Sequence, residues 1–318
     1  MEKYQAISSW YAKMVYPYIN TKCDIVHKFR QVIEQIAPEV AISTRKNFVT
    51  ATNKLEKFLH DTMPYRQVTP ANITPGQIKA LERWLLDSGM SPNYTALLMR
   101  SMRALINRIN QRGCELFKDV RTQRCQTVKR AVDELVIKRL RTMKLDNPKE
   151  DQARNIFLYC FFSMGMPLID ALHLKKTQLK NGIITYYRHK THRMVNIVVE
   201  NALTKVIKAI GTDVSSVYLL PILKSGNTTE CYYEYKRFYQ RYMRALHNIS
   251  QKLGLECPLT SYTQRHTWAS IAYKNNGDIN IISQSLGHAN TNITSLYIKE
   301  ISHTQLKRVN NIVINAVS

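Results

Sequence analysis

The sequence predicts a mainly α-helical protein of two domains, the second carrying a small β-hairpin. Three observations lead there. Apolar residues recur at helical spacing behind Ser/Thr-Pro start signals in the first 117 residues. A basic stretch with little apolar periodicity follows, and one pair of short β-branched and aromatic runs then interrupts an otherwise helical remainder. At 318 residues and 44% hydrophobic content, each domain has the means to build a core.

Residues 1–40 are expected to form an N-terminal helical extension, too short for a separate domain, with Trp10, Tyr11, Tyr16 and Tyr18 packing against the helical domain next to it. Residues 41–117 are expected to form a small, basic, all-helical domain. In it, Ser43 to His60 sets Phe48, Leu55, Phe58 and Leu59 near helical spacing. At Thr74-Pro75 the threonine can cap, the proline suits the first helical position, and Gln77 completes a capping box ahead of Ile78, Leu81 and Leu85. Ser91-Pro92 repeats the signal, and Leu98, Met102, Leu105 and Ile109 carry the stripe until Gly113 offers a C-terminal cap. This helix also bears Arg100, Arg103, Arg108 and Arg112, which read equally well as a solvated face or as phosphate contacts.

Residues 118–130, with Arg124 and Lys129 among five basic residues against one acid, read as an exposed linker lying along a polyanion. The second domain, 131–318, opens with helices near Asp133 to Met143 and Asp151 to Met164. Gly182 to Glu200 predicts a hairpin with Lys190 at its tip. Helices over Glu230 to Leu253, Ser261 to Lys274, Ile279 to Ser285 and from Asn292 onward complete it.

The 46 Lys+Arg against 23 Asp+Glu give a net charge of +23, spread along the whole chain, so a large polyanion is the expected partner. Basic residues interrupt every apolar stretch before the roughly 18 residues that would span a bilayer, which favours nucleic acid over membrane. The N-terminus lacks the apolar centre of a secretory signal, so the mature protein is expected to begin near Met1. Cys23, Cys114, Cys125, Cys160, Cys231 and Cys257 lie far apart without metal-ligand spacing. They are expected to be small buried apolar groups in a reducing, cytoplasmic compartment.

The most informative residues are SYTQRHTWAS from Ser261 to Ser270, SLGH from Ser285 to His288, and TSLYIKE from Thr294 to Glu300. Together they resemble the tyrosine-recombinase (phage-integrase) family, whose pattern is HxxRH, then LGH, then a tyrosine nine residues later; Arg265, His288 and Tyr297 occupy those places. The resemblance implies an all-helical SAM-like core-binding domain followed by a tyrosine-recombinase catalytic domain. The implied activity is metal- and ATP-independent cutting and rejoining of DNA at specific recombination sites, as by an integrase or invertase of a mobile element.

The chemistry explains the residue types. A phosphodiester repels nucleophiles, and Arg265, a planar donor that stays charged, suits the clamping of its non-bridging oxygens. A phenol is only about one part in a thousand ionised at neutral pH, so Tyr297 needs a proton acceptor or electrostatic help to attack. The attack leaves a 3′-phosphotyrosyl link and a 5′ hydroxyl whose departure needs a proton. By resemblance, Lys190 is that general acid and His288 hydrogen-bonds the phosphate or the attacking oxygen. Arg188, His189, His192 and Arg193 surround Lys190, and a hairpin tip could equally touch DNA backbone. His266 and Trp268 read as packing residues. No cofactor is expected: the sequence has neither a GxxxxGK[ST] loop nor a carboxylate cluster.

Two departures from the family pattern stand out. Tyr262 replaces the histidine three residues before the arginine, and a phenol is a poor base near neutral pH. In Gly165-Met166-Pro167-Leu168-Ile169-Asp170, Met166 stands where the family usually has its other phosphate-clamping arginine. The stretch resembles the branch of the family carried by mobile elements of Bacteroides-type bacteria, in which that arginine is often missing. Arg154, upstream on what should be the same helix, is a candidate substitute as well as an ordinary surface or DNA-backbone arginine.

Leu306, Val309, Ile312 and Val313 form a final apolar stripe. In the family such a segment docks into the adjacent protomer, which implies a monomer in solution that becomes a tetramer on DNA, with accessory DNA-bending proteins as further partners. Two other readings are a DNA-binding architectural or regulatory protein that has lost catalysis, and a topoisomerase sharing the same chemistry.

Overall fold

The computed structural model describes residues 24–63, 67–125, 131–275 and 277–287. The chain divides into two compact units, Met1–Thr127 and Val128–Ser318.

The first unit is built from α1 (Ile25–Gln35), α2 (Ile42–Thr62), α3 (Pro75–Asp87), α4 (Pro92–Ile109) and the short α5 (Gly113–Leu116). Asp24 caps α1, which places Ile25, Phe29 and Ile33 one turn apart on a single face. That face is buried in the same core as Leu55, Phe58, Leu81, Leu85, Met99 and Leu105. Residues 25–35 are therefore an integral wall of the unit, and the expected division at residue 40 falls inside its packing. The Thr74–Gln77 capping box forms in both directions, with N–H to side-chain oxygen distances of 3.3 and 2.8 Å.

α4 ends at Ile109 with Asn110 as its C-cap, ahead of Gly113, because the chain turns through Gln111 at φ +59°; Gly113 instead begins α5. Arg112 consequently lies beyond the helix that the apolar stripe assigns it to.

The first part of the expected linker is also packed. Val120 joins the core, the Arg121 N–H donates to buried Glu82 at 2.7 Å, and Asn93 accepts from the Cys125 N–H at 2.8 Å. Sequence composition exposes none of this, because the anchoring groups are backbone atoms.

In the second unit, α7 (Pro148–Phe162) is the central helix, contacted by α9 (Asn201–Ile210), α10 (Thr228–Lys252) and α11 (Thr263–Lys274). Ile156, Phe157, Tyr159 and Cys160 are fully buried, as a helix covered on several sides requires. It starts at Pro148 rather than near Asp151, because Asn147 supplies the cap. Its Glu150, nearly buried, is held by Lys252 at 2.6 Å and Asn248 at 3.2 Å from α10.

α6 (Glu134–Thr142), α8 (Leu168–His173) and α12 (Ile279–Ser285) complete the described helices. Neither α8 nor α9 is among the elements expected from the sequence; α8 is too short to show a period, whereas Leu203, Val206, Ile207 and Ile210 give α9 clear helical spacing. The sheet has β1 (Leu179–Lys180), β2 (Ile183–Tyr187) and β3 (Met194–Val198), antiparallel in that order. The β2–β3 register pairs Ile183 with Val198 and Tyr187 with Met194, turning Ile184, Tyr186, Val195 and Ile197 into the core.

Among the described residues no helix is long and apolar enough to cross a membrane, and no three His, Cys, Asp or Glu side chains converge as a metal cluster. Cys160 and Cys231 are buried, but Cys114 and Cys257 are exposed, so burial does not account for every cysteine. Cys23 lies outside the described residues, as does the helix expected from Asn292.

Candidate active site

Arg265 sits in the first turn of α11 and is 2% exposed, the largest of the fully buried side chains. Its guanidinium donates to the carbonyl of Gly165 at 2.9 Å and to that of Leu286. Gly165 permits this approach: a Cβ there would lie 2.9 Å from Arg265 Cα, and its φ is +69°. The glycine of the GMPLID stretch is thus set by contact with the arginine helix.

The second buried cation is Arg188, 7% exposed, at the end of β2. Its Nη1 donates to the Leu286 carbonyl at 3.0 Å, and its Nε faces Asp170 Oδ2 at 3.4 Å. Gly287, at φ +63°, makes room for it, since a Cβ there would fall 2.6 Å from Arg188 Cδ. The two guanidiniums therefore converge on Leu286-Gly287, the residues directly before His288 in the sequence. Asp170 also accepts the His189 N–H at 2.9 Å, so one carboxylate fixes both Arg188 and the root of the hairpin turn.

Two guanidiniums and the Asp170 carboxylate are buried close together, a low-dielectric setting in which electrostatic interactions are strong. Nearby Tyr186 has its phenol pushed well above its ordinary range, first by burial and then by Asp170, with Arg188 and Arg265 opposing.

In the sequence Arg188 stands out only as a neighbour of Lys190. The signal that finds it is the strand period: Ile184 and Tyr186 point inward, so the next residue of that parity is Arg188, a charged side chain on a buried face. Lys190 lies in the turn beyond, exposed, where the chain closes through the Arg188 N–H to Arg193 carbonyl bond at 2.9 Å.

The other expected positions separate. Met166 is 1% exposed and belongs to the hydrophobic core, its N–H bonded to the carbonyls of Cys160 and Ser163. The Arg154 guanidinium is engaged by Asp151 at 2.6 Å, by Asn155 and by the Met143 carbonyl at 2.7 Å, on its own stretch of chain. Tyr262 is the N-cap residue of α11, half exposed, and its carbonyl accepts the Arg265 N–H. Tyr297, His288 and Lys129 lie outside the described residues.

In the first unit, Arg100 and Arg103 both reach Thr122, at its carbonyl and its hydroxyl. The Arg100 pKa is lowered by burial and by the neighbouring Arg124 and Arg103, which marks a cluster of like charges. Arg108 is exposed. Arg112 differs from these, because Glu115 and the Ala71 carbonyl already hold it.

Residues 118–303 match the phage integrase family. A tyrosine recombinase XerC of Thermodesulfovibrio yellowstonii is 22% identical over 81% of this chain and 85% of its own length. A tyrosine recombinase XerD of Listeria monocytogenes is 31% identical over a shorter region, 22% of this chain and 23% of the relative. Among solved structures, a lambda integrase dimer bound to a COC′ core site superposes with TM-score 0.60 at 13% identity, covering 87% of this chain and 79% of the other. The Tn1549 transposon integrase in complex with transposon right end DNA superposes with TM-score 0.63 at 11% identity, covering 92% and 99%. At these identities the superpositions establish a shared fold.

Proposed function

The chain belongs to the phage integrase family, and on that footing we propose that it is a site-specific DNA recombinase of a mobile element, cutting and rejoining DNA through a 3′-phosphotyrosyl intermediate. The observation that carries the reading is the buried pair of guanidiniums, Arg265 and Arg188, which converge on the Leu286 carbonyl in the segment that leads to His288. The DNA-bound lambda and Tn1549 integrases of the same fold support it.

In this reading Arg265 and Arg188 take the two non-bridging oxygens of the scissile phosphate, Arg188 standing in for the arginine that Met166 replaces. Tyr297 Oη attacks phosphorus, the bond from phosphorus to the 5′ oxygen breaks, and Lys190, on the turn between β2 and β3, delivers the proton that the departing oxygen takes. His288 accepts or shares the proton of the attacking phenol. Tyr262, half exposed at the head of α11, contacts the phosphate or its sugar as a hydrogen-bonding group rather than as a base. Arg100, Arg103, Arg108 and Arg124 of the first unit contact the DNA backbone, with Lys129 beyond them. The working assembly is a tetramer on two DNA sites.

The test is covalent trapping. Nicked suicide substrates drawn from the DNA flanking the gene should yield a 3′ protein–DNA adduct with the parent chain and none with Tyr297→Phe. An adduct that persists in Tyr297→Phe, or its absence from the parent on every flanking site, overturns the reading.

A further inference from the structure

The second unit holds a cavity of about 270 Å³. It is lined by Pro167, Leu168 and Ile169 at the start of α8 and by Tyr235 and Tyr239 of α10, whose rings lie 6.0 Å apart and inclined by 39°. Ser261, Tyr262 and Lys236 also line it, the Lys236 ammonium 5.8 Å from the Tyr239 ring centre. Two of these residues adjoin the clamp through the chain itself. Pro167 follows Gly165-Met166, where Arg265 is anchored, and Tyr262 accepts the Arg265 N–H.

The lining is specific in kind. Aliphatic groups and aromatic rings line the same space, which suits a flat ring system. The lining also carries hydroxyls, with Ser261 Oγ donating to Tyr239 Oη at 3.3 Å, and burial raises the Tyr235 phenol well above its ordinary range so that it stays a donor. The volume is below that of pockets for drug-sized ligands. An aliphatic side chain would leave the hydroxyls and the lysine without use, whereas a planar heterocycle with a polar edge and an attached phosphate uses all of them.

We propose that this cavity receives a single unstacked nucleobase of the DNA, next to the phosphate held by Arg265 and Arg188. The inference rests on the recombinase reading and adds to it a site that holds the DNA strand in a kinked state. A step that is already mismatched or flexible opens most easily, so the pocket biases strand exchange toward such steps without reading a sequence.

The experiment compares two duplexes of identical sequence, one with a single bulged base and one with an abasic bulge, binding to the full chain by fluorescence anisotropy. The base-bearing duplex should bind about tenfold tighter. Tyr239→Ala should abolish that preference and Tyr239→Phe should keep most of it. Equal affinities for the two duplexes in the parent chain overturn the proposal. A reading independent of variant folding is photocrosslinking of 5-bromodeoxyuridine placed in the bulge of the parent complex. Adducts on the peptides bearing Tyr235, Tyr239 or Tyr262 support the pocket, and adducts confined to other peptides overturn it. If the preference is absent while Tyr297-dependent adducts still form on nicked DNA, the pocket fails and the recombinase reading stands; if both are absent, the reading itself fails.

Discussion

Arg188 and Arg265 donate to one acceptor, the carbonyl oxygen of Leu286, although they lie 77 residues apart in the chain and reach it from a strand and a helix. Neither a propensity nor a spacing rule pairs them. The pairing is a product of the β2 register and of the two glycines, Gly165 and Gly287, that let backbone and guanidinium approach.

Arg188→Ala should lower the rate of covalent adduct formation by about a hundredfold, the scale on which a lost oxyanion donor acts. Arg154→Ala should leave it near the parent value, because that guanidinium is engaged locally. Met166→Arg should not rescue Arg188→Ala and should itself destabilise the fold by about 3 kcal/mol, since it buries an unpaired charge in the core. Single-turnover cleavage of a nicked substrate measures the first two, and urea unfolding the third.

Gly165→Ala should destabilise the second unit by about 2–3 kcal/mol and reduce cleavage as well. The added methyl meets the Arg265 backbone at 2.9 Å and the residue must hold a positive φ. Thermal unfolding followed by circular dichroism checks the stability, and a variant as stable as the parent contradicts the packing described.

Phe29→Ala should cost about 3–5 kcal/mol, as expected for a ring 1% exposed in the first unit's core. A residue on a detachable extension would cost a small fraction of that. Trp84, in edge contact with Phe58 at 5.9 Å, is a fluorescent reporter inside the same core.

Glu150→Gln should lower stability by about 1–2 kcal/mol at neutral pH, discounted because its partner Lys252 is half exposed. The lysine hydrogen bond is the first cause of a Glu150 pKa below its ordinary value, ahead of the Asn248 bond, with burial opposing. A carboxyl depressed in the folded state stabilises above its unfolded pKa and loses that contribution as pH falls through the folded one. The gap between parent and variant should therefore be full at neutral pH and close below the ordinary carboxylate range. A gap that does not change with pH would show that the charge contributes nothing.

Replacing Arg100, Arg103 and Arg124 together with Ala should reduce the salt slope of DNA binding by up to about three units, one for each phosphate that is no longer neutralised. Arg112→Ala should change it little, because Glu115 already neutralises that side chain.

Much of the molecule is legible in its sequence. The Thr74–Gln77 capping box, the Ser91-Pro92 start and the apolar stripes locate α2, α3 and α4, and alternation locates β2 and β3, because those signals are local and the structure uses them as written. The three-part motif identifies Arg265 for the same reason: its residue types follow from the chemistry of a phosphodiester. Where a segment is short, as α8 is, or is held largely through backbone N–H groups, as residues 118–125 are, composition carries no message.

By itself the sequence determined the helical class, the strongly positive charge and the arginine of the motif, all properties of residue type and near-neighbour spacing. Only the tertiary structure decided where the remaining cations lie. It buried Met166 in the core, tied Arg154 to its own helix and turned Arg188 inward beside Arg265. The physical reason is that a guanidinium's role depends on what neutralises it. That is settled by groups such as Asp170 and the Leu286 carbonyl, which are brought to it from distant parts of the chain.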